Sequence, residues 1–171
     1  MLVLTIDPSS IPANRGYAVT EDGRLLWYGD SMKNCIFASF DVAACEAQYA
    51  SPDSSRQSLI TLGNYAGFLL GRVPARLHLL VPVAAWKDRV IPGWANAKKQ
   101  VFTGSLREMY PHVTPERGPL HRTITKGKRK GQREQTEDPA SNILDAIGLG
   151  RSFFPPCRPY TAAELTEWEM Q

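Results

Sequence analysis

The apolar and polar positions of this chain follow a strand rhythm at first and then alternate between strand-like runs and helical periods. Residues 1–6 are a short, nearly unbroken apolar run carrying Val3 and Ile6, which predicts a central strand ending at Asp7. Turn-forming residues follow, from Pro8 to Gly16. Tyr17-Ala18-Val19-Thr20 predicts a second strand, Glu21-Asp22-Gly23 a hairpin turn and Arg24–Gly29 a third strand. These three read as an antiparallel meander. Residues 40–45 predict a buried strand with Glu46 at its carboxyl end, and 77–83 another.

Between those two strands the rhythm changes. Leu59, Leu62, Ala66, Leu69 and Leu70 recur at spacings of three and four, which predicts an amphipathic helix over 56–70 after the break Ser51-Pro52-Asp53-Ser54-Ser55. Gly63, Gly67 and Gly71 form one stripe along it, a costly choice in a helix unless another backbone packs closely there. Residues 97–110 predict a helix stopped by Pro111. Asp138-Pro139 has the form of a cap and first helical residue, with the helix running to about Arg151. A terminal helix is predicted over 162–170, after the proline-rich break from Pro155 to Pro159. The order describes an α/β protein with a mixed five-stranded sheet, an antiparallel N-terminal meander followed by parallel strands, flanked by helices. In open sheets of this kind, sites form at the carboxyl ends of strands.

Composition adds bounds. A chain of 171 residues with 43% hydrophobic and 22% charged residues suits a single globular domain with a substantial core. The net charge of +3 is mild, but its distribution is uneven. Arg122, Lys126, Lys128, Arg129, Lys130 and Arg133 fall between 121 and 133 with no acid among them, a local positive field suited to a polyanion such as nucleic acid. They belong to a segment, about 111–134, that lacks a clear period and reads as an inserted basic loop or hairpin. Cys35, Cys45 and Cys157 lack metal-ligand spacing and read as free thiols of a reducing compartment. No run is apolar enough to cross a membrane and no leader is visible, so the expected location is cytoplasmic, with cellular or phage DNA.

Three acids stand in apolar settings: Asp7 after Leu2-Val3-Leu4-Thr5-Ile6, Glu46 after Val42-Ala43-Ala44-Cys45, and Asp145 within Ile143-Leu144-Asp145-Ala146-Ile147. A lone carboxylate there is costly, and a divalent cation is the simplest compensation for three that converge. Asn142 precedes Asp145 by three residues and shares its helix face. The pattern points to metal-assisted phosphodiester hydrolysis, which uses two ions about 3.5–4 Å apart.

The order of these features resembles the RuvC-type Holliday-junction resolvases of the ribonuclease H-like superfamily, including phage-type members. Leu4-Thr5-Ile6-Asp7-Pro8 and Gly16-Tyr17-Ala18-Val19 resemble the family's opening strands, and Glu46-Ala47-Gln48-Tyr49 its second acid and following aromatic. Asn142-Ile143-Leu144-Asp145-Ala146-Ile147-Gly148 resembles its final helix, and Trp86-Lys87 through Lys98-Lys99-Gln100-Val101 its segment bearing two basic residues. The resemblance extends to about residue 150. It implies a homodimeric nuclease that resolves four-way DNA junctions by paired cuts leaving 5′-phosphates. Asp7, Glu46, Asn142 and Asp145 would hold two Mg2+ ions per site, with Mn2+ able to substitute. Lys98 joins that catalytic set, and Lys87 and Lys98 would neutralise phosphate charge. Tyr49 would stack on a junction base. Lys126, Lys128, Arg129, Lys130 and Arg133 would bind DNA, and helix 56–70 would form the two-fold interface.

One position departs from the family, which usually has an acid or a histidine where this chain has Asn142. Its carbonyl oxygen offers no charge, which leaves open a weaker hold on the second ion or help from Asp138. Other readings also stay open: a flap- or RNA-directed nuclease of the same superfamily, a non-catalytic junction-binding protein, or an actin-like nucleotide-binding domain. The last normally needs a second such lobe.

Overall fold

The computed structural model of the protein describes residues 1–8, 15–47, 56–93, 99–114, 121–123, 128–135 and 140–170. Strands β1 (Leu2–Asp7), β2 (Gly16–Glu21) and β3 (Arg24–Gly29) form the expected antiparallel meander. Strand β4 (Phe40–Ala47) runs parallel to β1, and β5 (Ala75–Pro82) parallel to β4. The sheet order is β3-β2-β1-β4-β5, so the first strand lies at the centre. Helices α1 (Arg56–Gly71), α2 (Val83–Val90), α3 (Lys99–Met109), α4 (Ser141–Arg151) and α5 (Ala162–Trp168) complete an α/β architecture. Strands β6 (His121–Thr123) and β7 (Arg133–Gln135) pair separately as a short antiparallel ladder. No helix among the described residues is long and apolar enough to cross a membrane.

The period-two alternation of the strands sorts the core into two layers. Leu4, Ile6, Val19, Ala43 and Cys45 pack with Ala66, Leu69 and Leu70 of α1 on one face of the sheet. Val3, Ala18, Val42 and Ala44 pack on the other with Trp86 of α2, Phe102 and Leu106 of α3, and Ile143, Leu144 and Ile147 of α4. Helix α4 is buried on almost every side, consistent with its nearly continuous apolar sequence. Its seat is made by small groups. A Cβ on Gly16 would lie 1.9 Å from the backbone oxygen of Asn142, and one on Gly150 would lie 3.1 Å from Thr5 Oγ1. Thr5 donates its hydroxyl to the Ala146 carbonyl at 2.7 Å, tying β1 to the middle of the helix.

Several boundaries differ from the sequence expectation, each for a local reason. Strand β4 continues past Cys45, because Glu46 and Ala47 stay in register with Val81 and Pro82 of β5. The strand expected to end at 83 stops at Pro82, and Val83 opens the unpredicted helix α2. The helix expected from 97 is described from Lys99. Helix α4 is described from Ser141 with Ala140 in the cap position, and Asp138 and Pro139, expected to open it, lie outside the described residues. The glycine stripe of α1 does not pack closely against the described residues. A Cβ at Gly63 or Gly71 would meet nothing within 4 Å, and one at Gly67 only the tip of Met170 at 3.6 Å.

The terminal helix is shorter than 162–170 because the chain turns to the sheet edge, where Glu169 bridges Leu79 and Met170 N donates to the His78 carbonyl. Helix α5 is fixed by a capping box between Thr161 and Glu164. Glu164 also accepts from Arg89 Nη2 at 2.9 Å and Arg158 Nη2 at 3.1 Å, and the Arg89 guanidinium lies 3.9 Å from the centre of the Tyr160 ring. The Thr161 backbone N–H, then Arg89, hold the Glu164 carboxyl down to about 2. A depressed carboxylate contributes stability above its unfolded pKa and loses it as pH falls through the folded value. The thermal stability lost in Glu164→Gln should therefore be full above about pH 5 and shrink as pH falls toward 2. Parallel melting curves of the two proteins across that range check this.

Candidate functional site

The carboxyl ends of β1 and β4 place two acids side by side. Ile6 pairs with Cys45, and Asp7 and Glu46 each follow by one residue on these neighbouring parallel strands. Alternation puts Asp7 on the same face as Val3 and Thr5, and Glu46 on the same face as Val42 and Ala44, which is the face covered by α4. Both charges reach the buried Cys45 thiol, which burial first, then Asp7 and Glu46, push well above its usual range.

Helix α4 supplies the other two residues. Its first turn lies over Gly16, the residue paired with Asp7, while Gly150 lies farther back along the strands over Thr5 and Thr20. Asn142 and Asp145 are therefore carried to the Asp7 end of the sheet. Asp145 is 7% exposed and Asp7 is 9% exposed. Ser141 Oγ donates to Asn142 Oδ1 at 3.3 Å, which turns the amide nitrogen away from that contact.

Helix α2 meets both remaining acids with two consecutive residues. Trp86 Nε1 donates to Glu46 Oε2 at 3.1 Å. Lys87 Nζ donates to Asp145 Oδ2 at 3.4 Å in an ion pair. The lysine ammonium also lies 5.0 Å from the centre of the Trp86 ring and 4.8 Å from that of Phe102. Trp86 is fully buried, edge-on to Phe102, and seated in the notch left by Gly148, where a Cβ would come within 2.7 Å of the indole. The sequence located Trp86-Lys87 through its resemblance, but not the helix that carries it or the acids it contacts.

The hard oxygens of Asp7, Glu46, Asp145 and Asn142 suit magnesium in kind. As the side chains stand, no group of three or more His, Cys, Asp or Glu among the described residues is gathered closely enough to hold an ion. Two of the acids are instead engaged by α2. Lys87, expected to face phosphate, is buried against Asp145.

The basic segment divides. Lys128, Arg129 and Lys130 are exposed in the turn before β7, which includes Gly131 at a φ of 86°. Arg129 closes it, donating Nε to Gln132 Oε1 at 3.3 Å and its carbonyl accepting from Gln132 N at 3.0 Å. Arg133 opens β7. Tyr49, Lys98 and Lys126 lie outside the described residues. No protein-family model matches the chain, and no curated protein matches its sequence at a significant level.

Proposed function

We propose that the protein is a structure-specific endodeoxyribonuclease of the ribonuclease H-like, RuvC-type class that resolves four-way DNA junctions. The observation that carries this reading is the shared placement of Asp7, Glu46, Asn142 and Asp145 at one end and on one face of a β3-β2-β1-β4-β5 sheet. Carboxylates brought to one site can hold the divalent cations that assist phosphodiester hydrolysis. Magnesium, with manganese as a substitute, is the cation of this proposal. Release of Glu46 and Asp145 from α2 would free those oxygens for it.

The surface supports the rest. Exposed Lys128, Arg129 and Lys130 on the β6–β7 turn form an anion-binding edge, to which we assign the DNA backbone. On α1, Ile60 is 48% and Phe68 55% exposed on the helix whose Gly63 and Gly71 meet no described residue, and we assign this face to a homodimer contact that sets two active sites for paired cuts. The test is magnesium-dependent nicking of a four-way junction in competition with a linear duplex of the same sequence. Preference for the junction is expected, and equal cutting of the duplex would favour a less selective nuclease.

Neutralising Lys128, Arg129 and Lys130 together should weaken junction binding and flatten its salt dependence, by about 0.9 in the log–log slope for each phosphate no longer neutralised. Binding titrations at several salt concentrations measure this. An unchanged slope would show that the turn does not touch phosphate.

A further inference from the structure

We propose that Lys87 is an internal cation that competes with a divalent metal ion for Asp145, so that α2 sets the metal affinity of the site. This rests on the reading of the acids as metal ligands and accounts for the ion pair that Lys87 makes with Asp145.

A lysine is rarely buried without a partner, and Lys87 is only 9% exposed. It is surrounded by sources of negative potential: the Asp145 carboxylate at 3.4 Å and the faces of Trp86 and Phe102 at 5.0 and 4.8 Å. The ammonium thus gives Asp145 the compensation that a metal ion would give. A metal ion at that carboxylate would sit a few ångströms from the ammonium in a partly desolvated site, and that repulsion lowers its affinity.

The competitor is also firmly delivered. The preceding residue, Trp86, is wedged between Gly148 of α4 and Phe102 of α3, and its N–H holds Glu46. The far end of α2 is fastened to the C-terminal segment, where Arg89 pairs with Glu164 and Cys157 Sγ donates to the Arg89 carbonyl. The lysine takes Asp145 Oδ2, so a metal ion at Asp145 either displaces the ammonium or binds against its charge. Once displaced, its charge is available to an incoming phosphate.

The test uses the full chain without DNA, with Mn2+ as the probe and the free-ion electron paramagnetic resonance signal as the readout. Lys87→Met keeps the apolar stem among the rings and removes the charge. It should bind Mn2+ about tenfold or more tightly than the parent protein. The rise in melting temperature on adding Mn2+ should also be larger, because the ion then takes over the compensation of Asp145 that the lysine gave. Lys87→Gln, read by the same two measurements, serves if the methionine variant does not fold. Measurable but equal or weaker Mn2+ binding in the variant would overturn the competition and leave the metal-site reading standing. Absence of Mn2+ binding in both proteins would overturn both.

Discussion

Asp7→Asn is expected to reduce junction cleavage by about a hundredfold or more while leaving junction affinity nearly unchanged. The size follows from metal-assisted charge stabilisation, worth several kcal/mol at the transition state, with each 1.36 kcal/mol equal to about tenfold in rate. The selectivity follows from position. Asp7 ends the central strand, 9% exposed, and a carboxylate there attracts no phosphate. Losing its charge would not weaken an electrostatic grip exerted by the basic turn. Glu46→Gln and Asp145→Asn should also abolish cleavage, but with different side effects. Asp145→Asn deprives the buried Lys87 of its carboxylate, and stranding one member of a buried pair costs about 3–5 kcal/mol of stability. Asp7→Asn is thus the cleaner probe. Single-turnover cleavage and gel-shift titration on the same junction measure the two quantities, and full cleavage by Asp7→Asn would remove Asp7 from the site.

Gly16→Ala is expected to be among the most destabilising single methyl additions to the fold, at about 3 kcal/mol or more. Its Cβ would fall 1.9 and 2.2 Å from the Asn142 carbonyl oxygen and carbon and 2.6 Å from the Ile143 nitrogen. All three are backbone atoms, so no side chain can rotate away. Either β2 separates from the start of α4 or the helix moves as a body, carrying Asn142 and Asp145 with it. Chemical denaturation of the two proteins measures the loss. An unchanged midpoint would show that α4 is not seated on β2 as described.

Much of the fold is legible in the sequence because its signals are local. Asp7, Glu46 and Asp145 stand out as acids in apolar runs, and the meander turns at Asp22 and Gly23, both at positive φ in the hairpin. Helix α2 is hidden because Val83-Ala84-Ala85 continues the apolar run of β5, so no change of period marks where strand becomes helix. The partners of its Trp86 and Lys87 lie 40 and 58 residues away in sequence, and only the fold brings them together. The glycine stripe is visible as an unusual feature, yet close packing against the described residues is not its reason. The turn of the C-terminal segment onto β5 is equally invisible, since Glu169 and Met170 carry out their pairing through backbone atoms that any sequence provides.

Whether these acids cut opposed strands of a DNA junction is decided by labelling each of the four strands in turn and mapping the cuts made by the full chain, with and without magnesium. Symmetric nicks on two opposed strands are expected, only with magnesium, leaving 5′-phosphate ends. A junction that is bound in magnesium but stays uncut on every strand would refute the assignment.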